Sequence, residues 1–353
     1  MKVLLFSRYG SQGASSRVRY LQYLTYLREK DVDVTITPLF SNRYLAALYG
    51  GESRWVEAIK GYAKRFYTLF SVFRYDVVIV EKELFPFCPA VAEWLLYAMG
   101  VPYIVDYDDA LFHRYDCHTR ALVRTVLGRK IDRVMRYSKV VVAGNEYLAE
   151  RARRAGAQKI EIIPTVVDME RYKPDYQEVD KVPVIGWIGT PKTTRYLKPL
   201  WSVFEALQKE MPVRFVAVGG RAEDLVGSPI EAWPWSEMTE VDFIQKFDIG
   251  IMPLEDSPWE KGKCGYKLIQ YMACGVPVVA SPVGVNCNII DPGVNGFLAN
   301  SPVEWKAILH GLLQKGFSAR RAIGLAGHKR ANEQYSLQSQ APRLLSVIHM
   351  AKH

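Results

Sequence analysis

Gly262, Lys263, Gly265 and Lys267 crowd into six residues inside the segment Asp248 to Leu298, with Tyr266 between the second glycine and the second lysine. They open a stretch with helical spacing, Cys264 to Met272, in which Leu268, Ile269 and Met272 are apolar and Lys263, Lys267 and Gln270 are polar. Amides at a helix start carry partial positive charge, and two ammonium groups beside them suit a phosphate or diphosphate. Each residue alone has an ordinary alternative, since lysines can be solvated surface charge and glycines can simply cap elements. The flanking runs, Asp248 to Leu254 and Val276 to Ala280, are too apolar for a wet face and read as buried strands. A ligand loop between two such strands belongs at the carboxyl edge of a parallel sheet.

Three further groups could do chemistry. The run Ser7 to Arg17 follows a first strand and holds Gly10 and Gly13 ahead of a helix with Val18, Leu21 and Leu24 in phase, another place for backbone amides near an anion. It lacks a full G-x-G-x-x-G, and no clear acidic residue follows the second strand, which argues against a nicotinamide cofactor. Asp106, Asp108 and Asp109 end another strand, where Asp108 or Asp109 could orient a hydroxyl, with His113 as a partner, or the aspartates could cap the next helix. The second half opens with Gly186 to Arg195 (GWIGTPKTTR), and Gly219-Gly220 ends a later strand. The other histidines, His118, His310, His328, His349 and His353, have no metal-ligand spacing, and the five cysteines form no C-x-x-C pair.

These residues are positioned by an alternation of strands and helices. Strand-like runs recur at Lys2 to Phe6, Val32 to Thr37, Asp76 to Val80, Tyr103 to Asp106, Val140 to Ala143 and Lys159 to Ile163. After a polar linker, Asp168 to Pro183, they resume at Val184 to Ile188, Arg214 to Val218, Ile249 to Pro253, Val276 to Ala280 and Gly296 to Leu298. The pattern predicts two Rossmann-like, doubly wound α/β domains facing across a cleft, residues 1–175 and 176–336. At 353 residues the chain has the length for two cores.

The net charge of +9 is uneven: residues 1–175 hold 27 Lys and Arg against 20 Asp and Glu. Two helical stretches concentrate it, Arg54 to Arg74, where basic residues mix with Trp55, Tyr62, Phe66, Phe70 and Phe73, and Arg120 to Lys139. Such helices suit an anionic membrane surface, or else are solvated on one side and packed on the other. No nucleic-acid motif accompanies the charge. The apolar stretch Leu84 to Val105 carries Glu93, prolines and Gly100, and reads as a buried helix plus strand rather than a membrane span. With no leader-like start at Met1 to Arg8, a cytoplasmic protein is expected, peripheral at the inner face of the membrane.

The segment containing Met272 to Val279 (MACGVPVV) and Gly293 to Leu298 (GVNGFL) resembles the donor-site signature of GT-B glycosyltransferases of family 4. Gly144-Asn145 and Ile163 to Asp168 (IPTVVD) are similar to the end of that family's first half. The resemblance implies the GT-B fold, with a last helix from residue 337 to 353 crossing back to the first domain. It implies that Gly13 and Ala14, with Arg17 nearby, lie against a donor diphosphate. Thr190 stands where the family has arginine and Arg195 near its lysine, with Lys192 as a substitute cation. Trp235, after Gly219, falls where the family places the nucleobase, while a core tryptophan is the plainer alternative. The sequence also departs from the pattern: the two glutamates of the family's E-x7-E helix are Gly262 and Gln270, and an acidic position in the next turn is Asn288. Gln270 keeps an acceptor and a donor for ribose hydroxyls but no charge.

The resemblance thus implies a retaining EC 2.4 glycosyltransferase, and the basic, aromatic first half points to surface polysaccharide or glycolipid assembly. It would use a nucleotide sugar and a glycan or lipid-linked acceptor, without cofactor. A D-x-D element suggests metal in GT-A enzymes, but the two-domain pattern and the cation-rich donor site argue for metal independence, with Lys263 and Lys267 on the leaving diphosphate and Asp108 or Asp109 on the acceptor. The departures recommend a rival, a non-catalytic GT-B subunit that binds nucleotide or a partner enzyme. A nucleotide-sugar epimerase would need carboxylates that nothing here assigns.

Overall fold

The computed structural model describes residues 1–175 and 182–352. The expected junction at residues 175/176 and part of the polar linker fall on residues 176–181, outside the described residues. The chain divides into two units: Met1–Val166 with Gly262–Cys264 and Ser339–His353, and Val167–Lys261 with Gly265–Gln338.

The first unit is built on β1 (Lys2–Phe6), β2 (Asp33–Ile36), β3 (Val77–Glu81), β4 (Tyr103–Tyr107), β5 (Val140–Ala143) and β6 (Ile160–Ile162). All pair in parallel in the order β2-β1-β3-β4-β5-β6. Residues such as Leu4, Val78, Val105 and Val141 are buried, as expected of strands covered by helices on both faces. Chain order reverses between β1 and β3, so the site expected of such a sheet lies beyond their carboxyl ends, at Ser7 and Lys82. The connections from β2 to β3, β3 to β4, β4 to β5 and β5 to β6 all step the same way across the sheet. Right-handed crossovers therefore put their helices on one face.

The second unit repeats the architecture with β7 (Val184–Ile188), β8 (Arg214–Val218), β9 (Ile230–Trp233), β10 (Ile249–Met252), β11 (Val278–Ala280) and β12 (Gly296–Leu298). These run parallel in the order β12-β11-β10-β7-β8-β9, with the reversal between β7 and β10. The edge strand β9 has no counterpart in the sequence reading. It is four residues long with two exposed, so its apolar signal is weak.

Three helical expectations need correction. Arg120 to Lys139 is two helices, Ala121–Leu127 and Lys130–Tyr137. The chain turns at Gly128, where a Cβ would stand 2.3 Å from the carbonyl oxygen of Arg124. The ligand-loop helix begins at Tyr266, not Cys264, because Gly265 precedes it at φ +66° in the left-handed region. The Val91–Ala98 helix is not buried, since Val91, Trp94, Leu95 and Tyr97 are exposed. Among the described residues no helix is long and apolar enough to cross a membrane.

Candidate functional site

In the first unit the loop after β1 folds over the end of β3. Gly13 is needed here because a Cβ would fall 2.2 Å from Tyr9 Cβ. Its N–H donates to Gly10 O at 3.0 Å, so of the expected anion-facing pair Gly13 has its amide committed, and Ala14 begins the Ala14–Arg19 helix. Arg17 is half-buried on that helix. Glu81, fully buried, accepts from the Arg8 N–H at 2.7 Å and from Ser16 Oγ at 2.6 Å. Ser15 Oγ lies 3.1 Å from Glu81 Oε1 and 2.8 Å from Asp108 Oδ2.

Lys82, which the sequence reading missed, completes this cluster. It holds φ +71°, a left-handed backbone that costs a non-glycine residue roughly 1–3 kcal/mol and persists only where surroundings enforce it. Its Nζ reaches Asp108 Oδ1 at 2.8 Å, as an ion pair rather than an aligned hydrogen bond, and lies 3.8 Å from Asp109 and 3.2 Å from Ser15 Oγ. Burial opposes ionisation of Asp108, but the charges of Lys82 and then Arg19 outweigh it and hold its pKa at about 2. Asp109 is raised by burial and by the Asp108 charge, against Lys82 and Lys263. Two adjacent carboxyls are thus split into a fixed anion and a group poised to take up a proton. The side chain of Asp109 is the more exposed, 36% against 12%.

Asp106 has a structural role: fully buried, it pairs with Arg19 through Nε at 3.0 Å and through Nη2. Neither Asp108 nor Asp109 caps the next helix, whose N-cap is Phe112. His113 is not brought to them. Its Nδ1 contacts Asp116 at 2.9 Å and its Nε2 contacts the Tyr147 hydroxyl at 2.8 Å. His113, Asp116 and Cys117 have the spacing to hold an ion, but Asp116 is already paired with Arg151 at 3.0 Å.

Lys263 groups with this cluster, its charge acting on Asp109. Asn145, N-cap of the Glu146–Ala155 helix, donates through Nδ2 to the carbonyls of Gly262 and Lys263, both at 3.0 Å, and Cys264 Sγ donates to Asp108 O at 3.0 Å. Gly262 is dictated by this packing, since a Cβ would lie 2.4 Å from Ala110 Cβ and 2.6 Å from its nitrogen. A glutamate at that position has no room.

In the second unit, Gly189 follows β7. A Cβ there would stand 2.3 Å from the Trp187 ring and 2.8 Å from Lys267 Nζ. Lys267 lies 4.2 Å from the centroid of the buried Trp187 ring, a cation–π contact of up to about 2 kcal/mol when desolvated. Gly219 follows β8 at φ +81°, and a Cβ would fall 2.3 Å from Gly189 O. Trp235, after β9, is 41% exposed and packs beside Gly219, so the plainer core reading does not hold. Its Nε1 donates to Glu240 Oε2 at 3.0 Å. Tyr172 Oη donates to Glu240 Oε1 at 2.6 Å and accepts from Gln270 Nε2 at 2.9 Å. Gln270 is buried, and its amide nitrogen is therefore one end of a chain of polar contacts leading to Trp235. Tyr266 borders the same chain, its hydroxyl 3.5 Å from that of Tyr172.

Thr190 precedes the Pro191–Leu200 turn of 3-10 helix, its N–H on Thr193 Oγ1 at 3.0 Å. Lys192 is exposed there, and Arg195 is tied to Glu260 at 3.4 Å. The carboxyl ends of β7, β8 and β9 thus gather Gly189, Gly219, Trp235 and Lys267 around one edge of the sheet. An aromatic face beside close-approach glycines and an ammonium group can hold a base and a phosphate.

Residues 182–315 match the profile of the family described as glycosyl transferases group 1. Over 195 residues the chain is 23% identical to TuaH of Bacillus subtilis, provisionally named a teichuronic acid biosynthesis glycosyltransferase. That match takes in 50% of this chain and 48% of TuaH, so the chain spans about half the length of its curated relative. Among solved structures, sucrose-phosphate synthase of Thermosynechococcus elongatus superposes with TM-score 0.70 at 13% identity, over 99% of this chain and 98% of its own. Anabaena HepE, solved with UDP and glucose, gives 0.68 at 15%, over 99% of each chain. The two parallel six-stranded sheets thus follow the GT-B fold of these solved structures, and the second of them carries the group 1 glycosyl transferase match.

Proposed function

We propose that this chain moves a sugar from a nucleoside-diphosphate donor to an acceptor hydroxyl with retention of configuration and without metal. The observation that carries the reading is the grouping of Gly189, Gly219, Trp235 and Lys267 at the strand ends of the second unit. Uridine is the proposed base, because HepE is solved with UDP and with UDP-glucose. In the donor half, Trp235 stacks on the base and Gln270 faces the ribose through its carbonyl oxygen. Lys267 and Lys192 take the diphosphate, with Gly265 and Tyr266 at the helix start and Thr190 and Arg195 on the neighbouring turn. In the first unit, Lys263 is the cation proposed for donor chemistry.

In the reaction the anomeric carbon bonds to the acceptor oxygen as its bond to the diphosphate breaks, and the hydroxyl proton passes to the departing diphosphate on the same face. The lysines stabilise charge that exists only once that bond has lengthened. Asp109 orients the acceptor hydroxyl, and Asp108, ionised beside Lys82, fixes the cluster. A surface glycan or lipid-linked acceptor is proposed, in keeping with the name given to TuaH, at the inner face of the cell membrane.

The test is thermal stabilisation by UDP, GDP, ADP and dTDP, with and without EDTA. Selective stabilisation by UDP that EDTA leaves unchanged supports the reading. Stabilisation by none of the four removes it. The rival, a non-catalytic nucleotide-binding subunit, is favoured by the commitment of Gln270 to Tyr172. It predicts stabilisation without any donor turnover.

A further inference from the structure

The Trp55–Leu69 helix of the first unit is inverted. Its sheet-facing side carries Arg65, fully buried, which donates to Leu84 O at 3.0 Å, to Thr37 O at 3.2 Å and to Ser7 O. Gly61 lets the helix lie directly on backbone, since a Cβ would come 1.9 Å from Leu39 O. Its outer side presents Trp55, Val56, Ile59, Phe66 and Tyr67, with Phe70 just beyond, each 54–76% exposed. Steps of three and four residues make this a single stripe, and the exposed Lys60 and Lys64 border it. A water-facing helix normally has the opposite arrangement.

The stripe continues onto neighbouring elements of the same sheet face. The Tyr62 hydroxyl donates to Pro86 O at 2.9 Å, and the next residue, Phe87, is exposed, followed by Val91, Trp94 and Leu95 of the Val91–Ala98 helix. Beside that helix, on the same face of the sheet, lies the Lys130–Tyr137 helix, joined to it where Tyr97 stacks on Tyr137 at 5.5 Å. Arg129, Arg133 and Arg136 line a cavity of about 250 Å³ there. Asp132, the carboxylate in that cavity, is occupied by Arg151 at 2.6 and 3.1 Å. The three guanidinium groups have no ion-pair partner among the described residues.

We infer that this helical layer docks on an anionic lipid bilayer, its aromatic stripe entering the headgroup region and the arginine cavity taking a lipid phosphate. Charge selects this occupant. A second copy of the chain would bring the same arginines and lysines against their own kind, whereas an anionic bilayer supplies both a counter-charge and an apolar layer. The inference deepens the membrane-side acceptor reading, yet its test is independent of catalysis.

The full chain is floated with vesicles of phosphatidylcholine alone and with vesicles containing phosphatidylglycerol. Binding is expected only to the latter, weakened by salt, with a blue shift of tryptophan fluorescence. The double variant Arg133→Gln/Arg136→Gln should bind about thirty-fold more weakly, the loss for two basic contacts at an anionic surface. Phe66→Ser/Phe70→Ser should lose the blue shift, with both variants melting as the parent does. Equal binding to both vesicle types, no binding to either, or dimerisation through this face in place of binding overturns the inference. If vesicle binding holds while donor turnover is absent, the docking stands and the transferase reading alone fails.

Discussion

Gln270→Glu restores the family's glutamate and should damage the protein. Tyr172 Oη has one proton, and it goes to Glu240 Oε1 at 2.6 Å, so the tyrosine oxygen must accept from position 270, where Gln270 Nε2 donates at 2.9 Å. A carboxylate there offers no proton. Burial and the charge of Glu240 keep Tyr172 protonated, so it cannot relieve the conflict by ionising. One remedy is to protonate the new carboxyl, which at pH 7 costs about 3–4 kcal/mol from an ordinary Glu pKa of about 4.3. The other is to abandon the contact and leave a buried group unsatisfied, at about 1–3 kcal/mol. The cheaper route prevails, giving a loss of about 2–3 kcal/mol at pH 7. The protonation cost rises with pH above about 4.3, so the deficit grows from there until abandoning the contact becomes cheaper, and it shrinks below that pH. The assay is thermal unfolding of both proteins at pH 8 and pH 5. At about 2–4 °C per kcal/mol the variant should melt roughly 5–10 °C lower at pH 8 and about 2–4 °C lower at pH 5. A variant that melts like the parent at pH 8 would refute the claim that Gln270 is a committed donor in this network.

Other outcomes follow from the same geometry. Gly262→Glu, the other restoration, drives a side chain into Ala110 and should destabilise the first unit by about 1–3 kcal/mol; an unchanged melting temperature would show that the loop has room. Lys82→Met removes the charge that keeps Asp108 near 2. Because the stability from a depressed carboxyl is present above its unfolded pKa and lost as pH falls toward the folded one, the variant should unfold in acid at a higher pH, read by circular dichroism. Lys263→Ala should lower donor turnover about tenfold if the ammonium meets the diphosphate, and parental kinetics would remove it from the site. Asp109→Asn should abolish the acid limb of the rate profile, a limb expected at higher pH than an ordinary aspartate gives, because Asp109 is raised.

Most of the architecture was legible in the sequence because buried parallel strands announce themselves. Val184 to Ile188 and Gly296 to Leu298 lie where their apolar runs put them, whereas β9, with Glu231 and Ala232 exposed, gave no such signal. Gly219 was singled out in the sequence, whereas the need for glycine at 189 and 219 rests on contacts with Trp187 and Gly189 that only the fold reveals. Lys82 was missed because its partners are 67 and 26 residues away, at Ser15 and Asp108; its place at the end of β3 beside the chain reversal was the available clue. The outward face of the Val91–Ala98 helix was misread because apolar composition does not say which way a helix turns. Gly262, which looks like a lost catalytic position by resemblance, is explained by its approach to Ala110.

Sugar transfer from a nucleotide donor is tested most directly by the time course of UDP release from a panel of UDP-sugars, run in EDTA. Slow release from one sugar is expected, insensitive to EDTA and reduced at least about a hundredfold by Lys267→Ala, as when a cation facing developing charge is removed. Release from none of the donors by a chain that nevertheless binds UDP would contradict it and leave a nucleotide-binding subunit in its place.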